Sequence, residues 1–345
     1  MNADDARDLW QPEPGWLNTA SYGLPPTPAY EAVLAAQRDW RVGHTGWEGW
    51  GAETDRARAE FAALVGVPAA DVATGANVSS LLAPVGASLP PGTRVVVPEV
   101  EFTSNLFPWM VHESRGVEVV TVPLAKLAAS IDERTDVVAY SLVQSSDGTV
   151  ADDDEILAAA RAHDAMVVVD GTQAVGWLPV DASRYDVLAV GGYKWLMNPR
   201  GTGYAYLAPE VRERFVPVAA GWYAGKDVHA SYYGPPLRLS DDARRFDTSP
   251  AWFAWVGATP ALSIVRSIGV ETIHAHNVAL ANRFLTAMGR PTSNSAIVTV
   301  DSPGAEAALN AAGIRAAVRA GRVRASFHIY STEADVDSAV AALLG

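Results

Sequence analysis

The chain has 345 residues, 49% of them hydrophobic, with 26 Lys+Arg against 39 Asp+Glu and no cysteine. A formal net charge of −13 removes the general electrostatic grip that nucleic acid or anionic lipid requires, and the missing thiols exclude disulfides, thiolate metal sites and cysteine nucleophiles within these residues. At about 150 residues per domain, the length predicts two domains with an ample packed core.

The opening MNADDARDLWQPEPGW is acidic and lacks the basic and apolar regions of a signal peptide, and no apolar run reaches about 18 residues. The expectation is a cytoplasmic protein with a small-molecule ligand, no nucleic-acid partner and no membrane. Lysine occurs only as Lys126, Lys194 and Lys226, so the other 23 basic residues are arginines, whose guanidinium stays protonated. Any lysine chemistry falls on one of those three positions.

Along the chain, helical periodicity at 56–64 and 78–87 is followed by β-branched runs at 94–97, 118–122, 137–142, 165–170, 187–190 and 203–207, with a helix at 154–163 between them. Strands alternating with helices predict βαβ units and a mostly parallel sheet covered on both faces, with ligands at the carboxyl ends of the strands. Residues 221–250, rich in Gly, Tyr and Pro without periodicity, read as a long ordered loop. Helices at 260–268 and 271–288 follow, then a smaller α/β unit with strands at 295–300, 314–318 and 323–330 and helices at 305–312 and 332–344. The expected division is a segment 1–20 packing on the small domain, a large domain 21–255 and a small domain 256–345.

Asp170 ends one apolar strand and Lys194 follows another after Gly191 and Gly192, so both lie at the same lip of the sheet. An aspartate and a lysine converging there suit pyridoxal phosphate: the amine forms a Schiff base with the aldehyde, and the carboxylate keeps the pyridine nitrogen protonated. The other reading of such a pair is a turn-capping aspartate beside a surface lysine.

The longer string D-G-T-Q-A-V-G at 170–176, Lys194 two dozen residues on, and K-W-L-M-N-P-R-G-T-G at 194–203 resemble the active-site region of the class V aminotransferase family. That family includes cysteine desulfurases, selenocysteine lyases and isopenicillin N epimerase-like proteins. The resemblance implies the α/β fold of PLP-dependent transferases of fold type I, with a large domain built on a mainly parallel seven-stranded sheet, and a homodimer with shared active sites acting on an amino acid.

Residue by residue, the resemblance implies that Lys194 holds the cofactor, Asp170 meets the ring nitrogen and Gln173 meets the ring oxygen. Phe102, in EFTSNLFPW, stands where the family stacks a histidine on the ring. Ala76 and Asn77, before the helix near Val78, match the phosphate cradle. Gly191 and Tyr193 replace a phosphate-binding Ser and His, leaving Tyr193 one hydroxyl to offer. Ser249, or Thr248 beside it, is the hydroxyl that reaches the neighbouring subunit's phosphate. Arg324 in RVRASFHIY clamps the substrate carboxylate; Ser145, where the family strand ends near substrate and ring, and Arg319 are further substrate-binding candidates. The loop that carries the persulfide-forming cysteine of desulfurases is missing between Gly321 and Arg322, so a persulfide-forming desulfurase is not expected. Transamination is the favoured reaction, with C–S or C–Se lysis or epimerisation, and a non-catalytic relative, as alternatives.

Overall fold

The computed structural model describes residues 6–319 and 322–345, apart from the side chain of Arg319. Helices α1 (Thr27–Arg41) and α2 (Trp47–Leu64) precede strand β1 (Val72–Gly75) and helix α3 (Val78–Ala87). Then come β2 (Arg94–Pro98), α4 (Thr103–Met110), β3 (Glu118–Val122), β4 (Val137–Ser141), α5 (Asp153–Ala162), β5 (Met166–Asp170), β6 (Val187–Gly191) and β7 (Gly203–Leu207). These strands form one seven-stranded sheet in the order β1-β7-β6-β5-β4-β2-β3. Only β7 runs against its neighbours, pairing antiparallel with β6 and β1. Val95–Val97, Val167–Val169 and Val187–Val190 are all buried, as strands covered by helices on both faces require.

Three of these elements are absent from the sequence-based expectation. Helix α1 is amphipathic but opens on Pro26 and Pro28, strand β1 is only four residues long, and α4 contains Pro108. Helix α2 starts at Trp47 rather than at 56. The loop 221–250 is ordered by three single turns, Trp222–Ala224, His229–Ser231 and Ala243–Phe246, and by pairing of Gly225 with Leu239.

A short helix α6 (Pro209–Arg212) leads toward α7 (Trp252–Ile268) and α8 (Val270–Ala287). A second, three-stranded antiparallel sheet follows, β8 (Ile297–Asp301), β10 (Arg322–Ser326) and β9 (Ala317–Arg319) in that order, with α9 (Ala305–Ala311) and α10 (Glu333–Leu344). The expected division at 255/256 falls inside α7. Trp255, Leu262 and Val265 of that helix belong to the large core, and the smaller core starts at Leu280 in α8. The strand expected over 323–330 stops at Ser326, because the His328 N–H turns back to the Ser331 hydroxyl at 3.1 Å.

The segment 15–24 joins the two cores. Leu17 donates to the Arg315 carbonyl and accepts from Ser326 N–H, both at 2.9 Å, and its side chain is buried in the small core while Ala20 is buried in the large one.

Candidate active site

Parallel register aligns Ser141 of β4 with Asp170 of β5 and Ala189 of β6, so the carboxyl ends of three strands open onto one place. A cavity of about 480 Å³ lies there. It is lined on the sheet side by Ser141, Asp170, Thr172 and Gln173, on the lysine side by Gly191, Tyr193 and Lys194, and on the helix side by Ala76, Asn77, Val78 and Ser79. Phe102, Thr103, Ser104, Ser145, Arg200 and Gly201 complete the wall.

Asp170 is almost wholly buried. Its Oδ1 accepts from Thr172 N–H at 2.8 Å, and the Thr172 hydroxyl in turn accepts from Gly191 N–H at 2.9 Å, which locks the ends of β5 and β6 together. Burial pushes the Asp170 carboxyl above the usual carboxylate range, while the Thr172 bonds and the nearby Lys194 ammonium pull it back.

Lys194 is 5% exposed, and its Nζ lies 5.4 Å from the centre of the Phe102 ring and 5.8 Å from that of Tyr193. Its loop is clamped from both sides. Gly23 N–H donates to the Tyr193 carbonyl at 3.0 Å, and a Cβ on Gly23 would lie 1.9 Å from the Lys194 carbonyl oxygen, so only glycine fits at this crossing. On the other side His328 Nε2 meets the Trp195 carbonyl at 2.9 Å. Its Nδ1 accepts from Ile329 N–H at 2.8 Å, which makes the ring the neutral Nε2–H tautomer. Burial pulls the His328 pKa down to about 4, with the Trp195 carbonyl opposing and His276 assisting.

The expected residues do not all stand as expected. Gln173 lines the cavity, but both its N–H bonds are used, one to the Ala20 carbonyl and one to the Ser145 hydroxyl, each at 3.0 Å. Its Oε1 accepts from the Trp195 indole at 2.8 Å. Contact with a cofactor ring oxygen requires Gln173 to release Ser145; in this structure it braces the lysine loop instead.

Arg324 is buried, and its Nη1 donates to the Ser145 carbonyl and hydroxyl and its Nη2 to the Ser21 hydroxyl at 2.8 Å. Ser145 therefore links Gln173 to Arg324. The Arg319 side chain lies outside the described residues. Thr248 and Ser249 do not line this cavity.

Two further groups carry sequence signals that motif reading passes over. Glu101 follows the apolar run of β2, as Asp170 follows that of β5. It is buried and accepts from Ser141 N–H at 2.8 Å, from the Ser141 hydroxyl and from Gln144 Nε2 at 3.3 Å. Burial, with the Asp170 charge adding to it, pushes the Glu101 carboxyl up against these hydrogen bonds. Asp247, just before Thr248, receives both Nη groups of buried Arg58 at 3.2 and 2.6 Å and Thr74 N–H at 2.7 Å, so the 248–249 loop is anchored to α2 and β1.

A family model for "Aminotransferase class-V" matches residues 41–298. The chain belongs to the aminotransferase class-V family. Members of this family are PLP-dependent enzymes. Among curated relatives, the uncharacterized aminotransferase YcbU of Bacillus subtilis is 29% identical over 242 residues, covering 67% of this chain and 64% of its own length. Isopenicillin N epimerase of Streptomyces clavuligerus is 29% identical over 322 residues, covering 83% of this class-V chain and 77% of its own. The chain thus spans under two thirds of YcbU's length. Among solved structures, the cystine C-S lyase C-DES superposes with a TM-score of 0.86 at 22% identity, covering 96% of this chain and 97% of its own, which shows the fold type I architecture.

The residues of this class-V site fit pyridoxal phosphate. An amine and a buried carboxylate share the cavity, Phe102 offers a flat ring, and helix α3 presents its first N–H groups at the far end. The strands pack closely on the start of that helix: a Cβ on Gly203 would sit 3.2 Å from Asn77 N, and one on Gly75 2.9 Å from Leu81 Cδ2.

Proposed function

We propose that the chain is a PLP-dependent enzyme acting at Cα of an amino acid, and that the reaction is transamination. The observation that carries the reading is one cavity holding the Lys194 amine and the buried Asp170 carboxylate, with Arg324 reached through Ser145. When bound, the cofactor supplies an electron sink conjugated to the substrate Cα.

Lys194 would hold the cofactor through its amine, and that same amine, buried in the cavity, would serve as the base toward the substrate Cα proton. Asp170 would hold the ring nitrogen protonated, and Phe102 would offer its flat ring to one face of the cofactor. Arg324 would receive the α-carboxylate in a planar fork, in place of the Ser145 carbonyl and the Ser145 and Ser21 hydroxyls that now occupy its Nη groups. Phe102 has no titratable group, so proton traffic falls to Lys194. With no thiol in these 345 residues, none of them can carry a persulfide. Thr248 and Ser249, outside their own cavity, suit a homodimer in which each subunit's loop reaches the other's phosphate.

The test is the absorbance of the protein reconstituted with pyridoxal phosphate, followed by an amino-acid screen. The lysine-bound cofactor band is expected in the wild type and absent from Lys194→Ala. Transamination releases oxo acid without ammonia; release of ammonia with the oxo acid would overturn it in favour of elimination.

A further inference from the structure

Arg200 is an exposed arginine on the loop between Lys194 and β7, and it is part of the cavity wall. Its guanidinium carbon lies 4.6 Å from the centre of the Tyr193 ring, a cation–π contact that holds the side chain at the cavity mouth. Among the described residues no carboxylate pairs with it. The loop's position follows from the sheet: β7 pairs with β1 so that Gly203 faces Gly75, and Gly203 abuts Asn77 N at the start of α3. Arg200 and the first turn of α3 therefore border the same end of the cavity.

The donor supply at that end is short. Asn77 caps α3, its Oδ1 accepting Ser80 N–H at 2.9 Å and the Ser79 hydroxyl at 2.8 Å, so those groups are spent. Gly191 has no side chain, and its N–H is held by Thr172. The donors left there, among them the N–H groups of Val78 and Ser79, the Asn77 amide nitrogen and the hydroxyls of Tyr193, Thr103 and Ser104, are all neutral. The charge supply is shorter. The charged residues lining the cavity are Asp170, Lys194 and Arg200. A phosphate monoester carries about −1.5 to −2 charges at neutral pH, which the half charge of a helix terminus does not balance. Lys194 is committed to the aldehyde end. That leaves one cation.

Resting on the cofactor reading above, we propose that Arg200 binds the cofactor phosphate, swinging from the Tyr193 ring to pair with it beside the α3 N-terminus. Arg200 is thus a cofactor-binding residue, and Tyr193 positions it.

The experiment compares dissociation constants of pyridoxal phosphate and of pyridoxal, which keeps the aldehyde and ring but lacks the phosphate. It uses the full-length apoprotein and reads tryptophan fluorescence, for wild type, Arg200→Ala and Arg200→Lys. Arg200→Ala is expected to weaken pyridoxal phosphate by about ten- to a hundredfold and to leave pyridoxal unchanged, with Arg200→Lys in between. Inorganic phosphate is expected to compete with pyridoxal phosphate less well in Arg200→Ala than in wild type. Equal weakening of both ligands would assign Arg200 a structural role and overturn the proposal. So would unchanged cofactor binding with a raised substrate KM, which would place Arg200 on a substrate anion. A wild type that binds neither ligand would overturn the cofactor reading itself, a result separate from both.

Discussion

Replacing His328 with glutamine isolates one buried titration from the rest of the molecule. His328 is fully buried between the small unit and the lysine loop, and its pKa falls from 6.5 to about 4. Between those values the unfolded chain holds a proton that the native protein does not. Its contribution is therefore complete above pH 6.5 and is lost as the pH falls toward 4. The full window is worth about 3 kcal/mol, of which about 2 kcal/mol is spent between about pH 7.5 and 5. Glutamine does not titrate and keeps an N–H for the Trp195 carbonyl. The variant is expected to be less stable than wild type at neutral pH by about 1 to 3 kcal/mol, and the gap is expected to shrink by about 2 kcal/mol on acidification. The assay is urea unfolding followed by tryptophan fluorescence at fixed protein concentration across that range. Raised carboxyls such as Glu101, Asp170 and Asp247 bias the absolute curves the other way, but they are common to both proteins and cancel in the difference. A gap constant to about 0.5 kcal/mol would refute the reasoning.

Gly23→Ala forces a methyl into the Lys194 carbonyl; thermal melts are expected to show a loss of about 1 to 3 kcal/mol and steady-state assays a fall in kcat of about a hundredfold. Arg58→Met strands the Asp247 carboxylate in the core, at a cost of about 3 to 5 kcal/mol in urea unfolding, and the double variant Arg58→Met/Asp247→Leu is expected to recover most of it. Arg324→Lys replaces a fork by a point charge: KM for the amino acid rises about ten- to a hundredfold while the dissociation constant of pyridoxal phosphate stays unchanged.

Much of this arrangement is legible in the residues alone. Apolar runs that end in Asp170 and in the Gly191–Gly192 pair mark where β5 and β6 deliver the carboxylate and the lysine loop, because a strand buried on both faces changes character only at its end. Strand β1 escapes such reading, since VATG has one β-branched residue next to another only across an alanine and takes its register from β7. The roles of Gln173 and Arg200 are tertiary facts. A glutamine's type announces hydrogen bonding but not that Ala20, Ser145 and Trp195 will consume it. An arginine in a glycine-flanked loop is indistinguishable from a solvated one until β7 sets it beside α3. The overrun of the last strand has a local cause, the Ser331 hydroxyl competing for the His328 N–H.

The crossing of residues 15–24 over the lysine loop has a consequence for the order of assembly during synthesis. Ala20 N–H bonds the Ser326 hydroxyl 306 residues away, and the Thr19 and Tyr330 hydroxyls meet across 311. Until β10 leaves the ribosome these early residues lack the edge of the small sheet, and the peptide around Lys194, whose Gly23 partner is already made, lacks its His328 clamp. The large sheet closes earlier, on contacts of shorter span. A nascent chain thus presents Asp170 and Lys194 on a formed sheet with one side of the clamp still missing, and the Arg324 and His328 contacts are added only once β10 and the turn after it are made.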